Sequence, residues 1–223
     1  MVPVLRQFYG RQPSPPHDLF QFVVWEILSA QALPAKRDLA WNALRRLAAL
    51  TPDAMFRAPA EELAAAVALA GPHRDERIDR LRTTVAEFKR RRGELESPAL
   101  ETSGLFGAAR VLRLITHLSG DGRARAHLFA LGYPILPVDD DISRLVGRLI
   151  GTVPAVAESR RPTSRETRRG RRAARKWLSR QLERDAATYQ EAVIYLRHHA
   201  QHTCTALGPH CTVCPLVECL ARP

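Results

Sequence analysis

The sequence predicts an all-α protein, and three observations support this fold class. Apolar residues recur at the three- and four-residue spacing of amphipathic helices along most of the chain. Capping residues precede these stretches, and glycine or proline follows them. No stretch alternates polar and apolar residues for long enough to predict a strand.

The predicted helices follow one another closely in the first half of the chain. Asp18 is a candidate N-cap for a helix that we expect to end near Pro34. Thr51 begins a further turn, and Gly71 and Gly93 stand where C-terminal glycines are expected. The predicted segments are 19–33, 35–50, a turn from 51, 59–71 and 73–93.

The middle of the chain predicts two helices joined by a glycine-rich hairpin. An apolar helix over 105–118 meets Ser119-Gly120-Asp121-Gly122, and a second helix begins at Arg123. Glycines there allow a positive φ and let backbone amides approach a phosphate, although an ordinary tight turn between two core helices has the same pattern. Three aspartates, 139–141, follow an apolar run where a further helix begins, and one of them is expected to be its N-cap.

Length and charge restrict the classes of function. The 223 residues, 45% of them hydrophobic, can bury the core of one large or two small domains. The first residues do not resemble a secretory peptide, and no apolar run is long enough for a bilayer, so we expect a cytoplasmic protein without membrane contact. The net charge of +11 predicts a polyanionic partner.

Much of the positive charge is concentrated in one segment. Glu158–Lys176 carries eight arginines and one lysine against two glutamates, which supplies +7 of the +11. Its first half has the composition of a solvated loop. Thr163 and Glu166 fit a capping box, so we predict a helix over 168–182 with Leu178 turned inward and an arginine-rich face suited to a phosphate backbone.

The four cysteines all lie near the end of the chain. Cys204, Cys211, Cys214 and Cys219 fall within one short stretch. In a reducing compartment, such a cluster indicates metal or cluster ligands rather than two disulfides. Four thiolates suit either an iron–sulfur cluster or a zinc ion, and their spacing alone does not separate the two.

Taken together, these segments resemble the helix-hairpin-helix DNA glycosylases, and among them the iron–sulfur branch typified by endonuclease III. The similar segments are 27–31 (ILSAQ), 118–126 (LSGDGRARA), 138–144 (VDDDISR), and 199–204 (HAQHTC) with the cysteines after it. The resemblance implies a six-helix barrel domain over 27–138. It also implies an iron–sulfur domain formed by residues 1–26 and 139–223.

The resemblance also implies a role for individual residues. Gln31 would enter the space left by a flipped nucleotide, and Asp139 would be the catalytic aspartate. Pro72 or His73 would fill the gap in the opposite strand. The hairpin residues that would contact DNA phosphates are Gly120, Gly122, Arg123 and Arg125, and the ligands of a [4Fe-4S] cluster would be Cys204, Cys211, Cys214 and Cys219.

Three departures from the family pattern affect the expected activity. The last interval between cysteines is one residue shorter, and the loop 205–210 lacks the lysine and arginine residues that contact DNA in the family. Ala124 stands where bifunctional members carry a nucleophilic lysine. The chain holds only three lysines, of which Lys36 is near the Gln31 segment. We therefore expect a monofunctional glycosylase.

Two alternatives stay open at the level of sequence. A protein on the same scaffold could recognise lesions or abasic sites in double-stranded DNA with little or no catalysis. Glu26 lies one position from the acid that adenine-mismatch members use and would turn away along the helix, so a partly buried structural acid is favoured over a catalytic one. We expect a monomer that binds duplexes containing a damaged, mismatched or abasic nucleotide.

Overall fold

The computed structural model describes residues 1–95, 103–153 and 163–222. Within these ranges the chain forms twelve α-helices, a short 3-10 helix and no strand, which confirms the predicted all-α class. The start of the arginine-rich segment, 158–162, lies outside the described residues. None of the described helices has the length and apolar character that crossing a membrane requires.

The chain divides into two compact units. Unit one contains Met1–Ser14 and Pro134–Pro223, so both ends of the chain contribute to it, and unit two is the continuous stretch Pro15–Tyr133. The functional division into a barrel domain and a cluster domain stays a prediction.

Unit two is built around one helix that is buried along most of its length. The helix α2 packs against α3, α6 and α9, and eight of its eleven residues are buried. Phe22, at its centre, stacks on Phe129 of α9 with ring centroids 6.4 Å apart. The described helices of unit two are α2 (Leu19–Ser29), α3 (Pro34–Arg46), α4 (Pro52–Arg57), α5 (Ala60–Ala68), α6 (Arg74–Arg90), α7 (Arg92–Leu95), α8 (Gly104–Leu112) and α9 (Gly120–Phe129).

Unit one places a short helix between two longer ones. The helix α10 packs against both α11 and α12, and α1 packs on α12. The Tyr195 hydroxyl on α12 donates to the Gly10 carbonyl just after α1, at 2.9 Å, and so holds the N-terminal helix in place. The helices of this unit are α1 (Val2–Tyr9), α10 (Asp140–Leu149), α11 (Ser164–Leu178) and α12 (Ala186–His202), with a 3-10 turn at Cys211–Val213.

Local capping signals predicted the helix starts well. Asp18 and Thr51 accept hydrogen bonds from the backbone amides three residues later, as expected of N-caps. Thr163 and Glu166 form the predicted capping box, and α11 therefore begins at Ser164 and ends at Leu178, not over 168–182.

Several predicted helix ends were wrong, because contacts with residues distant in the sequence, or additional short turns, set where these helices stop. The helix α2 ends at Ser29 rather than near Pro34. Gly93 does not end α6, which stops at Arg90, but lies inside the short α7. The helix α8 ends at Leu112 instead of 118, because the Thr116 amide donates to the Glu87 carboxylate of α6 rather than to a helical carbonyl.

Candidate functional site

Two side chains fix the glycine-rich hairpin of unit two, Glu87 on the turn before it and Ser119 within it. The Glu87 carboxylate accepts from the Thr116 amide at 3.2 Å and also from its hydroxyl, which fixes the turn after α8. The Ser119 hydroxyl oxygen accepts from the Gly122 amide at 3.0 Å, so α9 begins at Gly120 rather than at Arg123. The N-terminus of α9 is therefore a fixed, positively polarised helix end of the kind that binds phosphate groups.

The two glycines of the hairpin differ in whether the structure requires glycine at their position. Neither Gly120 nor Gly122 has a positive φ, so the expected left-handed turn is absent from this hairpin. A Cβ on Gly122 would lie 2.8 Å from Leu118 Cδ1 and 3.2 Å from Glu26 Oε2, whereas one on Gly120 would meet only the Arg123 guanidinium at 3.9 Å. Close packing requires glycine at 122, and nothing in the packing requires it at 120.

Arg125 of α9 points inward, away from the position at a DNA phosphate that the resemblance implied. Its guanidinium binds the Glu26 carboxylate of α2 in a bidentate pair, with Nε 3.0 Å from Oε1, and only 8% of the residue is exposed. The Arg123 Nη1 group donates to the Leu118 carbonyl at 2.7 Å and so closes the hairpin. Arg125 is therefore poorly placed to contact a phosphate, and its pair with Glu26 fits the interpretation of Glu26 as a partly buried structural acid.

Gln31 lies in a tight turn between α2 and α3. It is exposed, and its φ of 53° puts it in the left-handed region that residues other than glycine rarely adopt. Non-glycine residues in this region cost of the order of 1 kcal/mol and concentrate at functional sites. The strain is consistent with the predicted role of Gln31 in reaching into DNA.

A second strained loop of unit two contains Pro72 and His73, the residues predicted to fill the gap in the opposite DNA strand. Gly71 has a φ of 98° and His73, the residue before α6, has a φ of 69°. Pro72 and His73 are both exposed. The side chain of Lys36 lies beside this loop, since its Cδ would be 3.6 Å from a Cβ on Gly71.

Arg77, which sequence reasoning missed, ties these two loops together. Its Nη2 donates to the Ala30 carbonyl at 2.7 Å, just before Gln31, and its Nη1 donates to the carbonyls of Gly71 and Pro72. It is 2% exposed, and although burial lowers its pKa, an arginine stays charged at neutral pH. Its position one turn before Leu81 on the buried stripe of α6 was the signal that could have identified it.

Asp139 occupies the N-terminus of α10 in unit one. Its Oδ1 accepts from the Ile142 amide at 3.0 Å, and its Oδ2 forms an ion pair with Arg197 Nε of α12 at 2.9 Å. Asp139 is therefore the N-cap, as one of the three aspartates was expected to be. The helix N-terminus and Arg197 both place positive charge beside this carboxylate. No sequence motif marked Arg197, which lies 58 residues further along the chain.

The three neighbouring aspartates differ in exposure and in partner. The Asp139 side chain is 13% exposed, compared with 66% for Asp140 and 34% for Asp141. Asp140 pairs with Arg171 of α11 at 2.7 Å, and Asp141 pairs with Arg144 at 2.8 Å. Asp139 is thus the least solvated of the three.

The four cysteines line one small cavity of unit one. Cys204 is buried, and Cys211, Cys214 and Cys219 are half-buried around the same space. Burial raises the pKa of the Cys214 thiol above its ordinary value. Among the described residues, no three histidine, cysteine, aspartate or glutamate side chains converge closely enough to hold a single metal ion.

Buried polar groups surround the thiols. Arg148 of α10 is 2% exposed, and its Nη1 lies 3.3 Å from Cys204 Sγ and donates to the Thr205 carbonyl at 2.7 Å. The His199 Nε2 atom lies 3.6 Å from Cys214 Sγ, while its Nδ1 contacts the Tyr9 hydroxyl at 2.7 Å. Burial, assisted by His198, lowers the pKa of His199 to about 4. A cation and a ring nitrogen beside four thiols form a donor set that fits an anionic thiolate cluster.

Comparison with known proteins identifies the fold. No protein-family model matches the chain, and no curated protein matches its sequence. Two endonuclease III structures superpose with a TM-score of 0.64 at 17% identity. One, covalently trapped on DNA in an estranged-adenine complex, is matched over 99% of this chain and 92% of that chain. The other, a non-covalent DNA complex, is matched over 98% and 91%.

A third solved structure extends the comparison to another glycosylase. A DNA-3-methyladenine glycosidase from Bacillus halodurans matches with a TM-score of 0.55 at 18% identity, over 90% of this chain and 84% of that chain. The resemblance seen in the sequence is thus confirmed at the level of the fold. This chain has the helix-hairpin-helix DNA glycosylase fold of endonuclease III.

Proposed function

We propose that the protein is a DNA repair glycosylase of base excision repair, which hydrolyses the N-glycosidic bond of a damaged or mismatched base. The observation that carries this proposal is the mostly buried carboxylate of Asp139 at the N-terminus of α10, on a chain with the endonuclease III fold. The net charge of +11 supports double-stranded DNA as the partner.

Three features of unit two support DNA binding. The N-terminus of α9, at Gly120, is a site for a backbone phosphate. Gln31 would occupy the gap left when the target nucleotide leaves the stack, and Pro72 or His73 would support the opposite strand. Arg77 holds both loops through main-chain carbonyls, so it is a positioning residue for this step.

The proposed chemistry is a hydrolytic displacement at the sugar. The bond between the anomeric carbon and the base nitrogen breaks with its electrons going to the base. Water adds to the anomeric carbon and loses a proton to solvent, and the departing base takes one up. Positive charge develops on the sugar as the bond breaks. Both oxygens of Asp139 already have partners, so we assign the carboxylate the electrostatic stabilisation of that charge rather than proton abstraction.

The aspartate assignment is tested by a pair of isosteric variants. Asp139→Asn keeps a side chain that can cap α10 but removes the charge, so excision should fall at least about a hundredfold while DNA affinity is retained. Asp140→Asn, one residue away and exposed, is the matched control and should keep full activity. Full activity in Asp139→Asn, with loss in Asp140→Asn or in an Asp141→Asn variant, would mean that another aspartate is catalytic.

The protein is proposed to be monofunctional because Ala124 carries no amine. Borohydride should trap no covalent complex with a lesion-bearing duplex, and base release should occur without strand cleavage. Ala124→Lys places an amine on α9 and should gain measurable trapping, below that of a natural lyase. Trapping by the unmodified protein that Lys36→Ala abolishes would instead make Lys36, beside the Gly71 loop, the nucleophile.

We propose that the four cysteines hold a [4Fe-4S] cluster, with zinc as the alternative. Arg148 would balance the charge of the Cys204 thiolate, and the neutral His199 ring would hydrogen-bond the Cys214 sulfur. The cluster would have a structural role, because it would tie the end of the chain to α10 and α12. Purified protein should be brown and contain about four irons per chain. A colourless protein with one zinc would contradict the cluster assignment only.

A recognition-only protein is the second candidate. Ala124 and the engagement of both Asp139 oxygens by the fold are the observations that favour it. Duplexes carrying oxidised pyrimidine, alkylated purine, uracil or mismatched adenine, treated with alkali after incubation, distinguish the two. Abasic sites in any of them support the glycosylase, whereas tight binding to abasic DNA with no base release on any duplex supports recognition alone.

A further inference from the structure

Helix α11 of unit one presents a continuous row of positive charge. Five of its six exposed cations lie on one face, at spacings of three or four residues along the helix: Arg165, Arg168, Arg169, Arg172 and Lys176. At about 100° per residue they fall within an arc of about 100°, and the row is about 16 Å long. Ala174, on the opposite side of the helix, is buried, so the cationic face is the outward one.

The charge of this face is not neutralised within the described part of the chain. Helix α11 has seven cations and one carboxylate, Glu166, which is engaged in the capping box. Arg171, which lies outside the row, forms an ion pair with Asp140 of α10. The five residues of the row form no ion pair with any described carboxylate. A row of like charges on one face costs helix stability, which indicates a use other than folding.

Contacts within unit one place α11 beside Asp139. Arg171 pairs with Asp140, the residue after Asp139, and Arg175 Nε donates to the Leu136 carbonyl at 3.1 Å. The two helices approach closely at Gly170, where a Cβ would lie 3.0 Å from Ser143 Oγ. The C-terminal half of α11 therefore runs along the segment that leads into the candidate catalytic aspartate.

We propose that this row, the α11 basic face, is a second binding surface for the sugar-phosphate backbone of duplex DNA, separate from the hairpin. Its length matches about five base pairs of the duplex axis, and its arginines can each contact a phosphate. Such contacts carry no sequence information and add affinity for any duplex. The inference shares DNA binding with the proposed function but requires no catalysis.

The test measures how DNA affinity depends on salt. The triple variant Arg168→Gln, Arg169→Gln and Arg172→Gln should bind an undamaged duplex more weakly. The magnitude of the slope of log affinity against log salt should fall by about 3, because each lost phosphate contact contributes about 0.9. A triple variant of exposed arginines in unit two, Arg45→Gln, Arg46→Gln and Arg57→Gln, makes the same change in net charge and should lower the slope by less than about 1.

Three other outcomes would overturn the proposal. An unchanged slope would make the face merely solvated, and equal changes in both triples would make the effect one of net charge. The unmodified protein could also bind phosphatidylserine vesicles. If the α11 triple variant alone lost that binding and kept its affinity for DNA, the face would be assigned to anionic lipid. Gln keeps helix propensity, so circular dichroism should be unchanged. If no duplex loses a base but the α11 triple still lowers the slope, the glycosylase proposal fails and this one stands.

Discussion

The hairpin of unit two and helix α11 of unit one use arginine in opposite ways. At the hairpin, Arg125 is buried in a pair with Glu26 and Arg123 donates to a carbonyl of the turn. Along α11, five cations face outward without a carboxylate partner among the described residues. The same residue type thus stabilises the interior in one region and supplies surface charge in the other.

This difference separates the two proposed modes of phosphate binding. The hairpin offers a helix N-terminus at Gly120, whose main-chain amides act at short range and require a fixed geometry. The α11 basic face offers flexible side chains, whose contribution depends on salt rather than on an exact position. Substitutions should therefore affect folding and geometry at the hairpin, and salt-dependent affinity at α11.

The largest expected effect is on the buried pair of the hairpin region. Arg125→Ala leaves the Glu26 carboxylate buried without its cation and should lower the free energy of unfolding by about 3–5 kcal/mol in urea denaturation. Arg172→Ala on α11 is the control and should change it by less than about 0.5 kcal/mol. Replacing both partners, with Glu26→Leu and Arg125→Met, should recover most of the loss. If Arg125→Ala and Arg172→Ala lowered the free energy of unfolding equally, arginine would not have different roles in the two regions.

Arg77 tests whether a buried arginine can also control function. Arg77→Met removes the donors to the carbonyls of Ala30, Gly71 and Pro72 and should cost about 3 kcal/mol. Excision should fall even though Asp139 is intact, and hydrogen exchange should rise at 30–32 and 71–73. Arg74→Met, on the same helix but exposed, should do neither. Faster exchange spread over all of unit two would indicate only a general loss of stability.

The two hairpin glycines provide a smaller and more local test. Gly122→Ala forces a methyl group against Leu118 and Glu26 and should cost about 1–3 kcal/mol in thermal unfolding. Gly120→Ala meets no close neighbour and should be within about 0.5 kcal/mol of the parent. The opposite order of stabilities would contradict the packing explanation for the motif.

The smallest effects are expected at the N-caps of the two regions. Ser119→Ala and Thr163→Ala should each cost about 1 kcal/mol, since each removes the acceptor for one helix-end amide. Only Ser119→Ala should weaken DNA binding at high salt, because it loosens the hairpin geometry. Thr163→Ala should leave binding at high salt unchanged. Equal losses of affinity at high salt would mean that α11 also binds through fixed geometry.

Features encoded over three or four residues could be predicted from the sequence. The caps at Asp18 and Thr51 and the box of Thr163 with Glu166 form as predicted, because both partners belong to one helix turn. The all-α class and the resemblance to the endonuclease III fold were also visible in the sequence. Caps and periodic apolar spacing are properties of the chain alone, before any long-range contact exists.

The tertiary structure decided which polar groups meet across the chain. Arg125 was predicted to contact a DNA phosphate but meets Glu26, 99 residues away, and Glu87 ends α8 from 29 residues away. Asp139 differs from Asp140 and Asp141 in the sequence only by position, and its contact with Arg197 separates it. A buried charge must find a partner wherever the fold brings one, and local sequence contains no record of that partner.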